Sequence, residues 1–341
     1  MHLSTEFGRT EFELRADGFV ADEALAWIES DSTNALDQAG RALSAVGHAL
    51  ERQQPEALLL VGDRFETAAA AIAATLQRVP LVHLHGGEET VGAIDNAFRH
   101  AISQLSQLHL VSHEVHRQRV ISMGVDADRV RVVGAPGLDN LFRADLPGPA
   151  ELEGRLGLEL RAPVVVVTLH PTTAASATTS EVASLCAAMD DVKATYVITL
   201  PNTDPGHSSI RDALLIAAEK PGRVAVDALG SRAYWGLLKV ASAMLGNSSS
   251  ALIEGSALGL PAVNVGDRQK GRLRAGNIID AAPDRADITR ALTTALAPET
   301  RRKLQDSPKL FGQGSSAALI VDTLRMWSPP FSPATSRSEA N

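Results

Sequence analysis

Cysteine is almost absent from this sequence. Cys186 is the only cysteine among 341 residues. A single thiol excludes an intramolecular disulfide and any metal cluster built on several cysteines. Such sparing use of cysteine fits a reducing compartment, and we expect a cytoplasmic protein.

Long apolar runs and an excess of positive charge are absent as well. No stretch approaches the length needed to cross a bilayer, and residues 1–6 lack the basic and apolar regions of a secretory signal. The formal net charge is -8, which does not favour a nucleic acid or a membrane surface as partner. An anionic ligand would therefore need local devices, such as helix N-termini, backbone amides and a few arginines.

The sequence does contain a regular alternation of short apolar segments with helical ones. Hydrophobic residues make up 45% and charged residues 21%, a normal globular balance. Short runs that are apolar throughout predict strands buried on both faces of a parallel sheet. The predicted strands are Ala57–Val61, Leu81–Leu84, Leu108–Val111, Val130–Val133, Val164–Thr168, Thr195–Leu200, Arg223–Val226, Ala243–Leu245 and Ala262–Val265. The predicted helices between them include Ala35–Arg52, Glu66–Gln77, Ala93–Gln107, Glu181–Asp190 and Ser249–Leu258. This pattern predicts an α/β fold made of doubly wound, Rossmann-like domains.

A turn-rich segment before the strand at Val164 indicates a domain boundary. The sequence predicts an N-terminal Rossmann-like domain over residues 1–145, a C-terminal one with the final helix over 146–327, and a disordered Pro/Ser-rich tail over 328–341. Residues 1–34 contain no strong strand, whereas a doubly wound domain normally opens with a strand and a phosphate-facing turn. We therefore expect the first domain to lack its opening strand–helix–strand unit.

The first candidate for chemistry is Asp63, in the segment GDRFE after the strand ending at Val61. The carboxyl end of a strand is where the active sites of open sheets lie. The alternative is that Asp63 only caps the next helix. Position alone does not decide between the two interpretations.

A dense group of polar residues comes after the next strand, in VHLHGGEETVGAIDNAFRH from Val82 to His100. It holds His85, Glu88 and Asp95 around two adjacent glycines, which let the backbone approach a ligand closely. Carboxylates and imidazoles together are suited to removing and returning a proton. No HExxH-like spacing occurs, so a metal site is not expected. Arg99 lies four residues after Asp95, and an ion pair within the helix is the structural alternative.

The second half offers further candidates at strand ends. His170 lies directly after a strand of four valines. In GNSSSALIEG, Ser248, Ser249 and Ser250 precede a predicted helix, whose N-terminus would suit a diphosphate. Glu254 lies further along the same helix, where a carboxylate can accept hydrogen bonds from ribose hydroxyls. The alternative is that a serine merely caps the helix and that Glu254 is solvated.

Together these strings resemble the hydrolysing UDP-N-acetylglucosamine 2-epimerase family of sialic- and legionaminic-acid pathways. The resemblance rests on GDRFE, HLHGGEETVGAIDNAFRH, GAPGLDN, LHP, GNSSS and VNVGDRQKGR, and it extends to about Trp327. It implies the glycosyltransferase-B architecture, in which two Rossmann-like domains hold a UDP-sugar between them. It also implies a homodimer, and neither a metal nor another cofactor is expected.

The resemblance assigns roles to individual residues. The positions that resemble the family's catalytic residues are Asp63, Glu88, Asp95 and His170. Those that resemble its substrate contacts are His85, Ser248, Ser249, Ser250, Glu254 and Arg272. His85 stands where the family has a well-studied carboxylate. Members that form N-acetylmannosamine often have Glu there, whereas His is familiar in the branch linked to UDP-N,N'-diacetylbacillosamine, so both substrates stay open.

The resemblance also concerns the start of the chain. The family normally opens with a strand and a GTRADYxK-like turn that helps to hold the nucleotide. The segment Met1–Ser4 resembles the segment just after the family's second strand, which implies that roughly 30 residues are missing. A misplaced start codon is the explanation we favour.

The implied reaction is elimination of UDP across C-1 and C-2 of a UDP-2-acetamido sugar, then hydration of the glycal. The products would be UDP and a free sugar inverted at C-2: N-acetylmannosamine from UDP-GlcNAc, or 2,4-diacetamido-2,4,6-trideoxymannose from UDP-N,N'-diacetylbacillosamine. The alternatives are a UDP-sugar glycosyltransferase of the same fold, an inactive nucleotide-sugar-binding remnant and a metal-dependent hydrolase. The sequence does not assign the acid and the base individually.

Overall fold

The computed structural model describes residues 11–27, 34–89, 94–171, 175–201, 207–304 and 306–331. The chain forms two compact units. The first comprises Met1–Ala135 together with Ser315–Asn341, and the second comprises Pro136–Gly314.

Strands and helices alternate along the described residues. The strands are β1 (Leu58–Val61), β2 (Leu81–Leu84), β3 (Leu108–Val111), β4 (Val130–Val132), β5 (Val164–Thr168), β6 (Thr195–Thr199), β7 (Arg223–Val226), β8 (Ala243–Gly246), β9 (Ala262–Val265) and β10 (Ile278–Ala281). The α-helices are α1 (Glu11–Ala16), α2 (Ala35–Gln53), α3 (Phe65–Leu76), α4 (Asp95–Leu105), α5 (Glu114–Ser122), α6 (Pro149–Leu156), α7 (Ala175–Asp191), α8 (His207–Ala218), α9 (Ser231–Val240), α10 (Glu254–Leu258), α11 (Arg285–Leu296), α12 (Pro298–Leu304) and α13 (Ser316–Met326). Short 3-10 helices occupy Ala127–Arg129, Pro136–Phe142 and Ser249–Ala251.

The first unit is built on a parallel sheet whose described strands lie in the order β1-β2-β3-β4. β2 and β3 are buried along their whole length, as expected for apolar strands covered on both faces. β1 is an edge strand among these four, and its Leu59 and Val61 are exposed. The expected absence of an opening strand–helix–strand unit stays a prediction.

The last helix, α13, belongs to the first unit and not to the second. Its Ile320 packs in one apolar cluster with Val82 and its neighbours in the first sheet. The contacts therefore place the division after Ala135 and return Ser315–Asn341 to the first unit, which corrects the predicted boundary after residue 145. Periodicity in a sequence shows that a helix has an apolar face, but not which sheet receives that face.

The second unit contains a six-stranded parallel sheet in the order β10-β9-β8-β5-β6-β7. This is a doubly wound order, in which the direction of winding reverses between β5 and β8. Ligands of such sheets bind at the carboxyl ends of the strands where the winding reverses. His170 comes after β5 and Ser248 after β8, so both candidates lie at this point.

Two elements of the second unit differ from the predictions. β10 was not predicted, because Asp280 interrupts its apolar run and the strand is only partly buried. The helix predicted over Ser249–Leu258 is a 3-10 turn at Ser249–Ala251, followed by α10, which begins only at Glu254. Consecutive serines favour such turns, because their hydroxyls compete for backbone groups. Residues 332–341 of the predicted tail lie outside the described residues.

Candidate active site

In the first unit, the candidate residues gather where three parallel strands end. The segment after β1 carries Asp63, the segment after β2 carries His85 and Glu88, and the segment after β3 carries Ser112. Parallel strands present their carboxyl ends at one edge of the sheet. Hydrogen bonds link these segments to one another and to α4 and α5.

Arg99 on α4 connects two of the predicted catalytic residues. Its guanidinium donates to a carboxylate oxygen of Asp63. It also donates to the backbone carbonyl of Glu88 at 2.7 Å and to Oδ1 of Asn96 at 2.8 Å. Only 5% of Arg99 is exposed, so this positive charge is compensated inside the protein.

These contacts bear on two structural alternatives: that Asp63 only caps the next helix, and that Arg99 only forms an ion pair within its own helix. The N-cap of α3 is Arg64, and no side chain makes the capping hydrogen bond, so the capping role considered for Asp63 is wrong. Arg99 forms an ion pair with Asp63, which lies on a different segment, so its role is not confined to an ion pair within its own helix. Asp95 lies at the first position of α4, one helical turn from Arg99.

His85 has a backbone conformation that is rare for a residue with a side chain. Its φ is 68°, in the left-handed region, which costs roughly 1–2 kcal/mol for a non-glycine residue. Its Nδ1 lies 3.0 Å from Oε1 of Glu88, and its amide donates to the carbonyl of Leu110 on β3 at 3.1 Å. Gly87 completes the turn, because a Cβ there would meet the backbone oxygen of His116 at 2.4 Å. The strained turn therefore brings His85 back onto Glu88.

Glu88 is buried, and its contacts are to protein groups. Oε1 accepts a hydrogen bond from Oγ of Ser112 at 3.0 Å, in addition to the contact with His85. Oγ of Ser112 in turn lies 2.9 Å from Nδ1 of His116, which is also buried. Ser112 and His116 were not predicted from the sequence. Their signal was the string SHEVH directly after a buried strand.

A buried histidine supports the turn that carries Asp63. His83 on β2 places Nε2 3.1 Å from the carbonyl of Gly62 and Nδ1 3.1 Å from Oγ of Ser103. Burial lowers the pKa of His83 to about 4, so its ring is neutral near pH 7. His109 on the neighbouring β3 is its register partner, and burial lowers the pKa of His109 to about 3.

In the second unit, Asn247 fixes the position of His170. The side-chain Oδ1 of Asn247 accepts from the amide of His170 at 2.8 Å, and its Nδ2 donates to the carbonyl of His170 at 2.9 Å. Asn247 is fully buried. Gly246 makes this approach between β5 and β8 feasible, because a Cβ there would lie 1.9 Å from the backbone oxygen of Thr168.

The loop after β9 joins the same network. Arg268 and Gln269 both donate to the backbone carbonyl of Asn247, at 3.1 and 2.7 Å. Arg272, a predicted substrate contact, donates to Oε1 of Gln269 at 3.2 Å. The network therefore brings Arg272 and His170 into one hydrogen-bonded group, whereas Asn247 and Gln269 were not singled out from the sequence.

The predicted diphosphate serines have a different local structure from the one expected. Ser248 accepts a hydrogen bond from the amide of Ser250 at 3.3 Å and so caps the 3-10 turn. Oγ of Ser250 accepts from the hydroxyl of Tyr234 at 2.9 Å. Burial, together with the nearby Glu254 carboxylate, raises the pKa of Tyr234 to about 12. Ser249 begins the turn, and Glu254 is the first residue of α10.

The described residues contain neither a cluster suited to a metal ion nor a helix suited to span a membrane. They contain no group of three or more histidine, cysteine, aspartate or glutamate side chains arranged to hold a metal ion. None of their helices has the length and apolar character needed to span a membrane.

A family model described as UDP-N-acetylglucosamine 2-epimerase matches residues 1–325. The chain belongs to the UDP-N-acetylglucosamine 2-epimerase family. This confirms the resemblance inferred from the motifs, and it identifies the chain as an epimerase-family protein over nearly its whole length.

Curated members of the family are similar along most of the chain. A GDP/UDP-N,N'-diacetylbacillosamine 2-epimerase (hydrolyzing) of Campylobacter jejuni is 36% identical over 285 residues, which cover 82% of this chain and 74% of the relative. A UDP-N,N'-diacetylbacillosamine 2-epimerase (hydrolyzing) of Legionella pneumophila is 33% identical over 95% of this chain and 86% of its own. The polysialic acid biosynthesis protein P7 of Escherichia coli is 32% identical over 86% of this chain and 76% of its own.

Solved structures of the family have the same fold. A UDP-GlcNAc 2-epimerase from Neisseria meningitidis, crystallised with UDP-GlcNAc, gives a TM-score of 0.80 at 19% identity, covering 94% of this chain and 90% of that one. The Methanocaldococcus jannaschii UDP-GlcNAc 2-epimerase, in complex with UDP-GlcNAc and UDP, gives a TM-score of 0.71 at 16% identity over 86% and 82%. These likenesses confirm the predicted two-domain, glycosyltransferase-B-like α/β fold class.

Proposed function

We propose that this chain is a hydrolysing 2-epimerase of a UDP-2-acetamido sugar and that its substrate is UDP-N,N'-diacetylbacillosamine. The observation that carries the proposal is the identity of 36% and 33% with two relatives named for that activity, over 82% and 95% of this chain. His85 supports the choice of sugar, because the histidine stands where the family's N-acetylmannosamine-forming members often have glutamate.

The second unit is suited to bind the nucleotide. Arg268 and Arg272 supply positive charge beside the strand ends where doubly wound sheets bind their ligands. Ser249 and Ser250 lie in the turn after β8, and Glu254 lies at the start of α10. We assign Ser248–Ser250 and Arg272 to the diphosphate, Glu254 to the ribose hydroxyls, and His170 to the charge that develops on departing UDP.

The first unit is suited to proton transfer. Asp63, Glu88 and His85 lie at the ends of neighbouring strands, and Arg99 fixes the first two relative to one another. Asp95 begins the helix that carries Arg99. A C-2 proton is weakly acidic, so its removal needs a base held in a fixed position.

The reaction then balances in two steps. A base takes the C-2 proton while the bond between C-1 and the diphosphate oxygen breaks, which releases UDP and leaves the glycal. Water adds its oxygen to C-1, and a proton returns to C-2 from the opposite face. One water is consumed, and the free sugar is inverted at C-2. The homodimer implied by the resemblance stays a prediction.

The proposal is tested by following UDP release in EDTA without an acceptor. The substrates are UDP-N,N'-diacetylbacillosamine, its GDP counterpart and UDP-GlcNAc. We expect the highest kcat/KM with UDP-N,N'-diacetylbacillosamine. Preference for UDP-GlcNAc or for the GDP sugar would overturn the assigned substrate, and release that requires an acceptor would indicate a glycosyltransferase.

A matched pair of variants ties the activity to the site. Asp63→Asn removes a charge that Arg99 neutralises, and we expect a loss of at least about a hundredfold in kcat with the fold retained. Asp37→Asn removes a similar charge from the exposed first turn of α2 and should leave kcat within about twofold. Equal activity of the two variants would exclude a catalytic role for Asp63.

A further inference from the structure

The proposed mechanism leaves the contact between His85 and Glu88 without a defined role. Nδ1 of His85 and Oε1 of Glu88 are 3.0 Å apart. The carboxylate is largely buried, whereas about a quarter of the imidazole side chain, 26%, is exposed. A buried carboxylate that holds one nitrogen of a more accessible imidazole is an arrangement that orients histidines for proton transfer.

The hydrogen bonds behind Glu88 fix the direction of the protons. Oγ of Ser112 donates to Oε1 of Glu88. Since the hydroxyl hydrogen of Ser112 is used there, Nδ1 of His116, 2.9 Å from the same Oγ, must be the donor in their contact. Oε1 of Glu88 is therefore an acceptor toward Ser112, as expected for a carboxylate oxygen.

An ionised Glu88 determines the tautomer of His85. The carboxylate accepts only, so Nδ1 of His85 carries the hydrogen and donates it. In the neutral ring, Nε2 then holds a lone pair. Nε2 makes no hydrogen bond to any residue in the described part of the chain. The structure therefore leaves Nε2 available as a proton acceptor.

The other acidic groups of the cluster are less suited to this step. The carboxylate of Asp63 is engaged by Arg99. Glu88 uses Oε1 for His85 and Ser112, and Arg99 holds its backbone carbonyl. The left-handed backbone at His85, with φ of 68°, is retained despite its strain, as is common where function requires a position.

We propose that His85 is a catalytic residue that exchanges the C-2 proton of the sugar through Nε2, and that Glu88 is a positioning residue that holds the imidazole by Nδ1. This inference rests on the proposed function and deepens it, since it assigns one proton-transfer group. It changes two sequence-based assignments, because His85 was expected to bind substrate and Glu88 to transfer the proton. Asp95 stays the candidate for the opposite face of C-2.

Charged and titratable groups surround the pair from several elements. They are His83 on β2, Arg99 on α4, and His116 and Arg119 on α5. Each is retained in the variants below, so a change in the tautomer or in kcat reports on the pair itself.

The first measurement concerns the tautomer and needs no substrate. Nitrogen NMR of the histidine-labelled protein, assigned with His85→Gln, should show His85 with its hydrogen on Nδ1 near neutral pH. Glu88→Gln should abolish this preference. An Nε2–H tautomer in the unaltered protein would overturn the proposal.

The second measurement concerns turnover. His85→Gln should lower kcat by roughly 10²–10⁴-fold with little change in KM, because general acid–base groups contribute on that scale. Glu88→Gln should lower kcat by roughly 10–100-fold with little change in KM, since the imidazole loses the carboxylate that orients it. His85→Glu should restore part of the activity lost in His85→Gln. His48→Gln, on the exposed face of α2, is the matched control and should retain full activity.

The outcomes separate this inference from the proposed function. UDP release by the unaltered protein together with a kcat of His85→Gln within about tenfold would overturn the role of His85 alone. An unchanged Nδ1–H tautomer of His85 together with an unchanged kcat in Glu88→Gln would overturn the role of Glu88. Failure of the unaltered protein to release nucleotide from any of the three sugars would overturn the proposed function, and the role of His85 with it.

Discussion

Replacement of Asn247 by alanine tests whether the network in the second unit positions His170. Asn247 is fully buried and holds both backbone groups of His170, at 2.8 and 2.9 Å. The variant keeps the backbone carbonyl that accepts from Gln269, so the loop after β9 retains its attachment. The perturbation is therefore directed at the peptide of His170.

The expected loss of stability results from the two hydrogen bonds. A buried polar group that loses its partner costs about 1–3 kcal/mol, so two such groups give about 2–6 kcal/mol. His170 is only half-buried, and water can replace part of the lost bonding. We therefore expect the lower part of this range, about 2–4 kcal/mol. Since whole proteins are stable by about 5–15 kcal/mol, the variant should still fold.

The assay combines urea unfolding, followed by far-UV circular dichroism, with UDP release under folding conditions. Asn264→Ala is the control, because Asn264 is equally buried and its Nδ2 also makes two hydrogen bonds, to Gly266 and Asp280. Both variants should lose stability, but only Asn247→Ala should lose at least about tenfold in kcat/KM. Equal kcat/KM values for the two variants, or a loss below about 1 kcal/mol for Asn247→Ala, would refute the reasoning.

Three further predictions address the fold and the first unit. Gly246→Ala should destabilise by more than about 4 kcal/mol in urea unfolding, because its Cβ would lie 1.9 Å from a backbone oxygen of β5, whereas Gly40→Ala has open space and should be neutral or stabilising. A normal unfolding midpoint for Gly246→Ala would contradict this. Arg99→Lys keeps the charge but cannot reach Asp63 and the two further acceptors together, so kcat/KM should fall at least about tenfold in the UDP-release assay. Unchanged kcat/KM would show that activity does not need the several hydrogen bonds of the Arg99 guanidinium. His109 has a folded pKa of about 3 against an ordinary 6.5, so the unfolded state binds more protons and stability falls as pH falls through this interval, by about 3 kcal/mol at pH 4. His109→Leu should remove this part of the fall in unfolding curves between pH 7 and pH 4, and an unchanged pH dependence would contradict the assignment.

The fold was predictable because its strands are apolar on both faces. Runs such as the four valines of β5 indicate a buried strand, and the alternation of such strands with helices indicates parallel sheets. β10 escaped because Asp280 lies in the middle of a half-exposed strand, where it pairs with Arg274. The packing of α13 against the first unit was not predicted, because the apolar face of a helix does not show in the sequence which sheet it packs against.

The site was predictable only in part, for a related reason. His85 and Glu88 come after a recognisable strand, and the carboxyl ends of parallel strands converge, so sequence position indicated the edge where they lie. The functions of Ser112 and Asn247 depend instead on buried hydrogen bonds between segments distant in sequence. The expected helix N-terminus at the serines was wrong because the hydroxyl of Ser248 caps a 3-10 turn instead.

The central claim is that the chain hydrolyses and inverts a UDP-linked 2-acetamido sugar. The most direct test is proton and phosphorus NMR of the reaction of UDP-N,N'-diacetylbacillosamine in deuterium oxide, with EDTA and without an acceptor. We predict release of UDP together with a free sugar that is inverted at C-2 and carries deuterium there. A free sugar with its original configuration and its C-2 proton retained, or no release without an acceptor, would contradict the account.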